Sequence, residues 1–344
     1  MRIVLHIGTE KTATTSIQRY LFANRNAFAE KGVLYPDKLG AENQLCLPAW
    51  AIGKPDADEV TATAYGVMSR SGFDQMDRYI LETLERQISA TDPDVIVFSN
   101  EHLHSRVRSL GQVRRLKQIL SQLSDDIQII LYIRRQDRLA VSYFSTPYKF
   151  GEKTTVGQAI PAASKGVPHY YDYGKLVTLW SEVFGAENLV VKIFEEEVRS
   201  EGGVVASFLN AAGLPRQADT MAKVHNESLS MEAIMFLASF NEQIAALPDQ
   251  KAELRKIRMS LVRFLERNYP ARRKLASKEA AMDFYSRCHA SNEIVLKTFF
   301  PDRTKLFDEN FNEYGDEESL APDTQMLAEI GARAAMLIRD KLTA

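Results

Sequence analysis

The chain has 344 residues, and 43 Lys or Arg against 45 Asp or Glu give a formal net charge of −2. Near-neutral charge argues against a general nucleic-acid binder, which neutralises phosphates with excess Lys and Arg. Two cysteines, Cys46 and Cys288, are too few for a disulfide framework or a cysteine-based zinc site. The sequence shows neither an apolar run of membrane-spanning length nor a secretion signal at its start, so we expect a cytoplasmic protein.

Short apolar runs alternate with amphipathic segments through the first two thirds of the chain. The runs predict buried strands at 2–7, 33–35, 94–98, 127–133 and 188–194. Apolar residues at helical spacing predict helices at 14–31, 73–88, 110–123, 137–149, 176–184 and 204–212. Residues 36–71 and 151–168 show no regular period, so we expect irregular segments there. Strands that alternate with helices predict a parallel sheet covered by helices on both faces, and the pattern beyond about residue 228 is helical.

A first candidate site lies between the first predicted strand and the helix after it, at Gly8-Thr-Glu-Lys-Thr-Ala-Thr-Thr-Ser16. A loop that enters a helix presents backbone N–H groups, and the helix dipole favours an anion there. Lys11 adds a positive charge. Further donors come from the hydroxyl groups of Thr12, Thr14, Thr15 and Ser16. Capping the helix needs only one hydroxyl, so the segment favours an anion site. It is not a Walker A motif, which has a glycine before its lysine.

A second candidate follows the strongest strand pattern. Arg134 comes directly after residues 127–133, and Ser142 lies about two helical turns further on. An arginine can contact a phosphate through two N–H groups, and a serine adds another donor. For the neighbouring Arg135 and Arg138, a role as solvated surface charges explains the sequence as well as a phosphate contact does.

A third candidate, Glu101 with His102 and His104, follows the strand at 94–98. An acid and a histidine suit a general base, although such a pair in a loop is more often a solvated turn. If the extended backbone continues, Glu101 and His102 point to different sides. Glu101 is nearest to the strand end and is our first choice. All three candidates lie at carboxyl ends of strands, where open α/β sheets bind ligands.

Two of these segments resemble the sulfotransferases that use 3′-phosphoadenosine 5′-phosphosulfate (PAPS). Lys11-Thr-Ala-Thr-Thr-Ser-Ile-Gln18 resembles their 5′-phosphosulfate loop, commonly K-T-G-T-T-S-L-Q in bacterial members. The step from Arg134 to Ser142 resembles their 3′-phosphate motif. Weaker similarities lie at 170–173, 180–185, 226–230 and 291–292, so the resemblance covers about residues 1–310.

The resemblance implies transfer of a sulfuryl group from PAPS to a hydroxyl or amine, without a metal, with 3′-phosphoadenosine 5′-phosphate released. Lys11 would contact the transferred group, and Glu101 or His102 would be the base. The resemblance to bacterial members leads us to expect a saccharide or a saccharide-linked molecule as the acceptor. Ala13 stands where the family usually has glycine, and its methyl group would be strained at positive φ. The implied cofactor-binding residues are Gly8, Lys11, Thr12, Ala13, Thr14, Thr15, Ser16, Arg134 and Ser142.

Two other functions stay open. A P-loop kinase or NTPase would use Mg-ATP; the strands at 94–98 and 127–133 lack the expected terminal aspartate, but Glu101 could replace it. A non-catalytic nucleotide-binding protein is the other, because a fold does not establish activity. For the fold we expect one domain over 1–344. It would have a three-layer α/β core of the P-loop type at 1–213 and a mostly helical region at 214–344 packed against that core.

Overall fold

Five parallel strands form the single sheet of the described residues. The computed structural model describes residues 1–53, 76–162, 167–217, 228–245, 251–272, 274–316 and 320–342. The strands are β1 (Arg2–His6), β2 (Val33–Leu34), β3 (Val95–Ser99), β4 (Ile127–Ile133) and β5 (Leu189–Ile193). Their order across the sheet is β2-β3-β1-β4-β5, and every pair is parallel. The predicted parallel sheet is therefore confirmed.

Helices account for most of the remaining described residues. In chain order they are α1 (Thr14–Ala23), α2 (Arg25–Ala29), α3 (Cys46–Ile52), α4 (Met76–Thr91), α5 (His102–Arg106), α6 (Leu110–Leu120), α7 (Gln136–Tyr143), α8 (Thr146–Lys149), α9 (Tyr173–Phe184), α10 (Phe194–Arg199), α11 (Gly203–Ala211), α12 (Met231–Ala245), α13 (Lys251–Asn268), α14 (Lys278–Arg287), α15 (His289–Phe299) and α16 (Thr324–Leu342). Beyond residue 228 the described chain is mostly helical, as predicted. Within the described ranges, no helix combines the length and apolar composition needed to cross a bilayer.

The central strands are buried on both faces, which explains their nearly continuous apolar sequence. Val4 of β1 belongs to a core cluster with Val97 of β3, Ile17 of α1 and Phe208 of α11. The intervening side chain Leu5 is also fully buried, and alternation places it on the opposite face. On that side α9 packs against β4 and β5. Helices therefore cover both faces, as the pattern predicted.

Three predicted segments differ from the structure. The helix predicted at 14–31 is interrupted at Asn24, whose side-chain amide donates to the Tyr20 carbonyl at 2.9 Å. The helix predicted at 137–149 ends at Tyr143 and resumes at Thr146, with a proline in the first turn of α8. The irregular segment predicted at 36–71 contains α3. That helix is buried on nearly every side and therefore shows no polar face, while residues 54–71 lie outside the described part of the chain.

The chain divides into two compact units. The first comprises Met1–Arg134, Val167–Lys223 and His289–Phe307, and it contains the whole sheet. The second comprises Arg135–Gly166, Val224–Cys288 and Asp308–Ala344. The one-domain organisation expected from the sequence stays a prediction.

In the first unit, α15 packs against α9, and two segments that resemble sulfotransferases meet there. The Ser291 hydroxyl accepts the Gly174 N–H and donates to an Asp172 carboxylate oxygen, each at 2.7 Å. A Cβ at Gly174 would lie 2.8 Å from the Ser291 carbonyl oxygen. Glycine is therefore required for this close approach of the two helices.

A buried ion cluster holds the second unit together around Arg135. Its side chain is 0% exposed, and it pairs with Asp137 at 2.8 Å, Glu313 at 2.9 Å and Asp308 at 3.0 Å. The guanidinium also lies 4.2 Å from the centre of the Phe311 ring. The interpretation of Arg135 as a solvated surface charge is therefore wrong.

Arg138 belongs to the same cluster and is also not a solvated charge. Its guanidinium contacts Glu313 at 2.5 Å and Asp308 at 2.8 Å, and its side chain is only 16% exposed. The two arginines thus fix the segment that carries Asp308 and Glu313 to α7.

We expect Arg135→Ala to destabilise the protein by about 3–5 kcal/mol, because it leaves the buried Asp137 carboxylate without its ion partner. The free energy of unfolding in urea measures this loss. The matched control is Arg114→Ala, which breaks an exposed pair with Glu182 and should cost less than about 1 kcal/mol. Equal losses in the two variants would show that the buried cluster does not stabilise the second unit.

Candidate functional site

The loop between β1 and α1 is fixed at its start by backbone contacts with neighbouring strands. The Thr9 N–H donates to the Tyr132 carbonyl at 2.8 Å, and the Tyr132 N–H donates to the Gly8 carbonyl at 2.7 Å. Gly8 has φ +99°, and a Cβ there would lie 3.2 Å from the Cα of Glu101. The pairing with β4 and the contact with Glu101 therefore set the loop's position, and both need glycine at residue 8.

The end of the loop presents the N-terminus of α1 without a side-chain cap. Ala13 is the N-cap residue at φ +60°, and Lys11 has φ +64°. The N–H groups of Ser16 and Ile17 return to the Ala13 carbonyl, and the residue at the N-cap position has no polar side chain to cap the first turn. The hydroxyl cluster therefore does not act as a helix cap, which was the alternative to an anion site.

The hydroxyl residues of the loop differ in their surroundings. Thr12 is fully buried, and its hydroxyl donates to the Thr9 carbonyl at 2.7 Å. That hydrogen is used inside the loop, so only the backbone N–H of Thr12 is left to meet an anion. Thr14 is buried, whereas Thr15 and Ser16 are half-buried.

Arg134 lies against this loop, although 123 residues separate it from Lys11 in the chain. Its Nη1 donates to the Lys11 carbonyl at 3.1 Å, and its Nε lies 3.6 Å from a Glu195 carboxylate oxygen. The Tyr173 hydroxyl donates to the Arg134 carbonyl at 2.6 Å, and the guanidinium lies 5.2 Å from the centre of the Phe194 ring. The carboxyl ends of β1 and β4 thus bring a lysine loop and an anchored guanidinium together.

Ser142 lies in α7 of the second unit and is half-buried. Arg134 belongs to the first unit. The role of Ser142 as a phosphate donor stays a prediction.

The segment after β3 does not continue as a strand, so the condition for placing Glu101 and His102 on different sides is not met. The Asn100 side chain accepts the His102 N–H at 2.8 Å, and the His104 N–H donates to the Glu101 carbonyl at 3.2 Å. These bonds begin α5 directly after Asn100. The Glu101 carboxylate accepts from the Gln18 amide at 2.6 Å, so α1 meets the end of β3 through Gln18, a contact that the sequence did not indicate.

Glu10 is a site residue that the sequence analysis missed. One carboxylate oxygen lies 3.3 Å from His102 Nδ1, and the other accepts from the Tyr170 hydroxyl at 3.2 Å. Burial acts to raise the pKa of Glu10, but several contacts, of which the hydrogen bond and charge of His102 are the largest, outweigh it and lower that pKa to about 2. Glu10 therefore stabilises the fold at neutral pH, and this stabilisation disappears as the pH falls from about 4.5 towards about 2.

His104, a further candidate base in the sequence, is part of the core. Its Nε2 donates to the Tyr170 carbonyl at 3.0 Å, and burial lowers its pKa to about 4. The ring is therefore neutral at pH 7 and holds Tyr170 beside Glu10. In the described part of the chain, no group of three or more His, Cys, Asp or Glu side chains could hold a metal ion.

Comparisons with known proteins find only distant similarity. No protein-family model matches the chain. An uncharacterised protein from Archaeoglobus fulgidus is 22% identical over 229 residues, which are 66% of this chain and 60% of that protein. The chain thus spans about 60% of the length of this curated relative. The crystal structure of a sulfotransferase from Alicyclobacillus acidocaldarius has 16% identity and a TM-score of 0.38, covering 73% of this chain and 98% of that one.

We expect Ala13→Gly to stabilise the protein by about 0.5–1 kcal/mol. The left-handed conformation costs a non-glycine residue about 1–2 kcal/mol, and the greater freedom of glycine in the unfolded chain offsets about 0.4–1 kcal/mol of the gain. The midpoint of urea unfolding measures the change. Ala23→Gly at the end of α1 is the matched control and should destabilise. A loss of stability in both variants would contradict the strain at Ala13.

Proposed function

We propose that this protein transfers a sulfuryl group from PAPS to a hydroxyl or amine of an acceptor and releases 3′-phosphoadenosine 5′-phosphate. The observation that carries this proposal is the hydrogen bond from Arg134 Nη1 to the Lys11 carbonyl. It joins the two segments that resemble the phosphosulfate loop and the 3′-phosphate motif. A ligand with an anionic group at each end would contact both segments.

The residues at the carboxyl ends of β1 and β4 provide the hydrogen-bond donors and positive charges that such a ligand requires. The loop offers the N-terminus of α1 with no side-chain cap, and Lys11 provides a cation. Arg134 offers a planar guanidinium that suits a phosphate. Two carboxylates lie nearby, but each already has a partner, since Glu10 is bonded by Tyr170 and Glu195 lies 3.6 Å from Arg134.

When bound, PAPS supplies the sulfuryl group and the phosphate that leaves. The charge of Lys11 and the N–H groups of the α1 N-terminus stabilise the negative charge that develops on the leaving oxygen. Arg134 binds the remote phosphate equally before and during transfer, and so it contributes to affinity more than to rate. The resemblance implies the same role for Ser142, which belongs to the second unit.

A saccharide is the acceptor class that we propose. Aromatic side chains that could stack on a sugar ring include Trp50 and Tyr148, but both are buried in the core. Tyr65 lies outside the described residues. Tyr170 is half-buried beside Glu10 and His104, which makes it the best aromatic candidate in the first unit.

The direct test is incubation of the protein with PAPS and a panel of saccharide, phenol and amine acceptors in the presence of EDTA. Formation of 3′-phosphoadenosine 5′-phosphate that depends on an acceptor supports the proposal. Consumption of ATP that requires Mg²⁺, with no reaction of PAPS, would instead support a P-loop kinase or NTPase. Binding of PAPS without turnover on any acceptor would support a non-catalytic protein.

We expect Lys11→Ala to lower the turnover number about a hundredfold, equivalent to about 3 kcal/mol, because it removes a charge needed mainly in the transition state. The Michaelis constant for PAPS should change much less. Steady-state kinetics of product formation measure both. Lys38→Ala, at an exposed lysine of the first unit, is the control. Near-normal turnover of Lys11→Ala would refute the phosphosulfate role of the loop.

We expect Arg134→Ala to weaken PAPS binding and to abolish discrimination against adenosine 5′-phosphosulfate, which lacks the 3′-phosphate. Calorimetric titration with both nucleotides measures the preference. Arg134→Lys is the matched variant and should retain part of it, because it keeps the charge but not the planar fork. An unchanged preference in Arg134→Ala would place the 3′-phosphate on another residue.

A further inference from the structure

The carboxylate of Glu10 connects the β1–α1 loop to His102. Its two oxygens have different partners, His102 Nδ1 at 3.3 Å and the Tyr170 hydroxyl at 3.2 Å. The side chains of Glu10 and His102 are 11% and 18% exposed. Glu10 is thus held from both sides in a nearly buried position next to Lys11.

This contact fixes the proton arrangement of the His102 ring. An ionised carboxylate has no hydrogen to donate, so the hydrogen of the contact belongs to Nδ1. In the neutral ring the lone pair is then on Nε2. Among the residues that the structure describes, Nε2 has no hydrogen-bond partner. His102 therefore has a proton-accepting atom available at the sheet edge.

The other two candidate bases are engaged differently. The Glu101 carboxylate accepts a short hydrogen bond from the Gln18 amide, which occupies one of its two oxygens. His104 uses Nε2 as a donor to a carbonyl and is buried. Only His102 combines a fixed tautomer with a partly exposed acceptor nitrogen.

We propose that Glu10 is the positioning residue that holds the tautomer of His102 and balances its charge, so that His102 rather than Glu101 takes the proton of the acceptor hydroxyl at Nε2. This inference rests on the proposed function and names the base of the same site. As a lone pair of the acceptor oxygen bonds to sulfur, the hydroxyl proton moves to Nε2. The electron pair of the breaking sulfur–oxygen bond leaves with the phosphate. The resulting imidazolium lies beside the Glu10 carboxylate.

Several titratable groups belong to α5, its N-cap or the segments packed against it, and they bear on the pH dependence. They are Glu10 and Lys11 of the loop, Glu101, His104 and Arg106 of the α5 region, His169, Tyr170 and Tyr171 before α9, and Cys46 of α3. Burial lowers the pKa of His169 and raises that of Cys46 to about 12. Glu10 is the group whose carboxylate contacts His102.

The Glu10–His102 contact can be tested without any activity. Carboxyl carbon NMR should give Glu10 a pKa of about 2 in the wild type. The pKa should rise in His102→Gln, because the hydrogen bond and charge of the ring are lost. His289→Gln, at an exposed histidine, is the control and should leave it unchanged. An unchanged pKa in His102→Gln would overturn the pairing whatever the protein catalyses.

The positioning role is tested by the pH–rate profile of Glu10→Gln with PAPS and an acceptor. The amide oxygen of Gln can still accept from Nδ1, so the tautomer stays but the charge is lost. We expect turnover to fall about tenfold, which is less than the roughly 10²–10⁴-fold that a general base itself contributes, because Glu10 acts only through His102. The rising limb of the profile should move to lower pH. PAPS affinity should not fall, because the variant removes a negative charge from the loop, and Glu10→Asp should restore part of the rate.

Several outcomes would overturn this role. A merely structural role of Glu10 would lower the rate at every pH without moving the rising limb. If Glu101→Gln moves the limb and Glu10→Gln does not, the base is Glu101. Glu30→Gln, at an exposed acid of the same unit, controls for the loss of a negative charge. If no acceptor is sulfated by the wild type, the base role fails with the proposed function, while the NMR titration still decides the Glu10–His102 contact.

Discussion

The backbone pairing of the β1–α1 loop with β4 is the constraint on which the candidate site depends. The two hydrogen bonds between this loop and Tyr132 continue the ladder of parallel strands past the end of β1. These bonds join backbone atoms, so they fix the position of the loop without any side chain. Since β1 is the middle strand, the segments after β3 and β4 border the loop on either side. A helix N-terminus, an arginine and a histidine therefore lie at one edge because of strand order.

Carboxylates accompany the basic and proton-accepting groups of this edge. Glu195 lies beside the Arg134 guanidinium, and Glu10 lies beside His102. Each acid restricts the orientation of its partner, which lowers the ordering cost when a ligand arrives. Each also competes with an anionic ligand for positive charge. The proposed anion site would therefore combine a defined geometry with a smaller net positive charge.

The sequence predicted the sheet well because its strands are buried on both faces and their apolar runs are short and unbroken. It predicted helix α3 poorly because a helix buried all round has no polar side to reveal its period. The sequence indicated that Ala13 would be strained if its φ were positive, and in the structure that φ is positive. These features depend on local sequence or on burial.

The missed parts of the site depend on contacts between residues far apart in the chain. Glu10 lies 92 residues from His102 and 160 from Tyr170, and nothing in its neighbourhood indicates such partners. The sequence left open whether the extended backbone continues through Glu101 and His102, and the Asn100 side chain, which accepts the His102 N–H, starts a helix there instead. The burial of Arg135 in an ion cluster could not be predicted for the same reason, since its carboxylate partners Asp308 and Glu313 follow more than 170 residues later.

The close approach of Gly8 to Glu101 has a consequence for any larger residue at position 8. An added Cβ would lie 3.2 Å from the Glu101 Cα and 3.3 Å from its Cβ, so a side chain there would push the loop away from the segment that begins α5. Such a displacement would stretch the hydrogen bonds from Gln18 to Glu101 and between Glu10 and His102. The missing side chain of residue 8 thus keeps Glu10 within reach of His102.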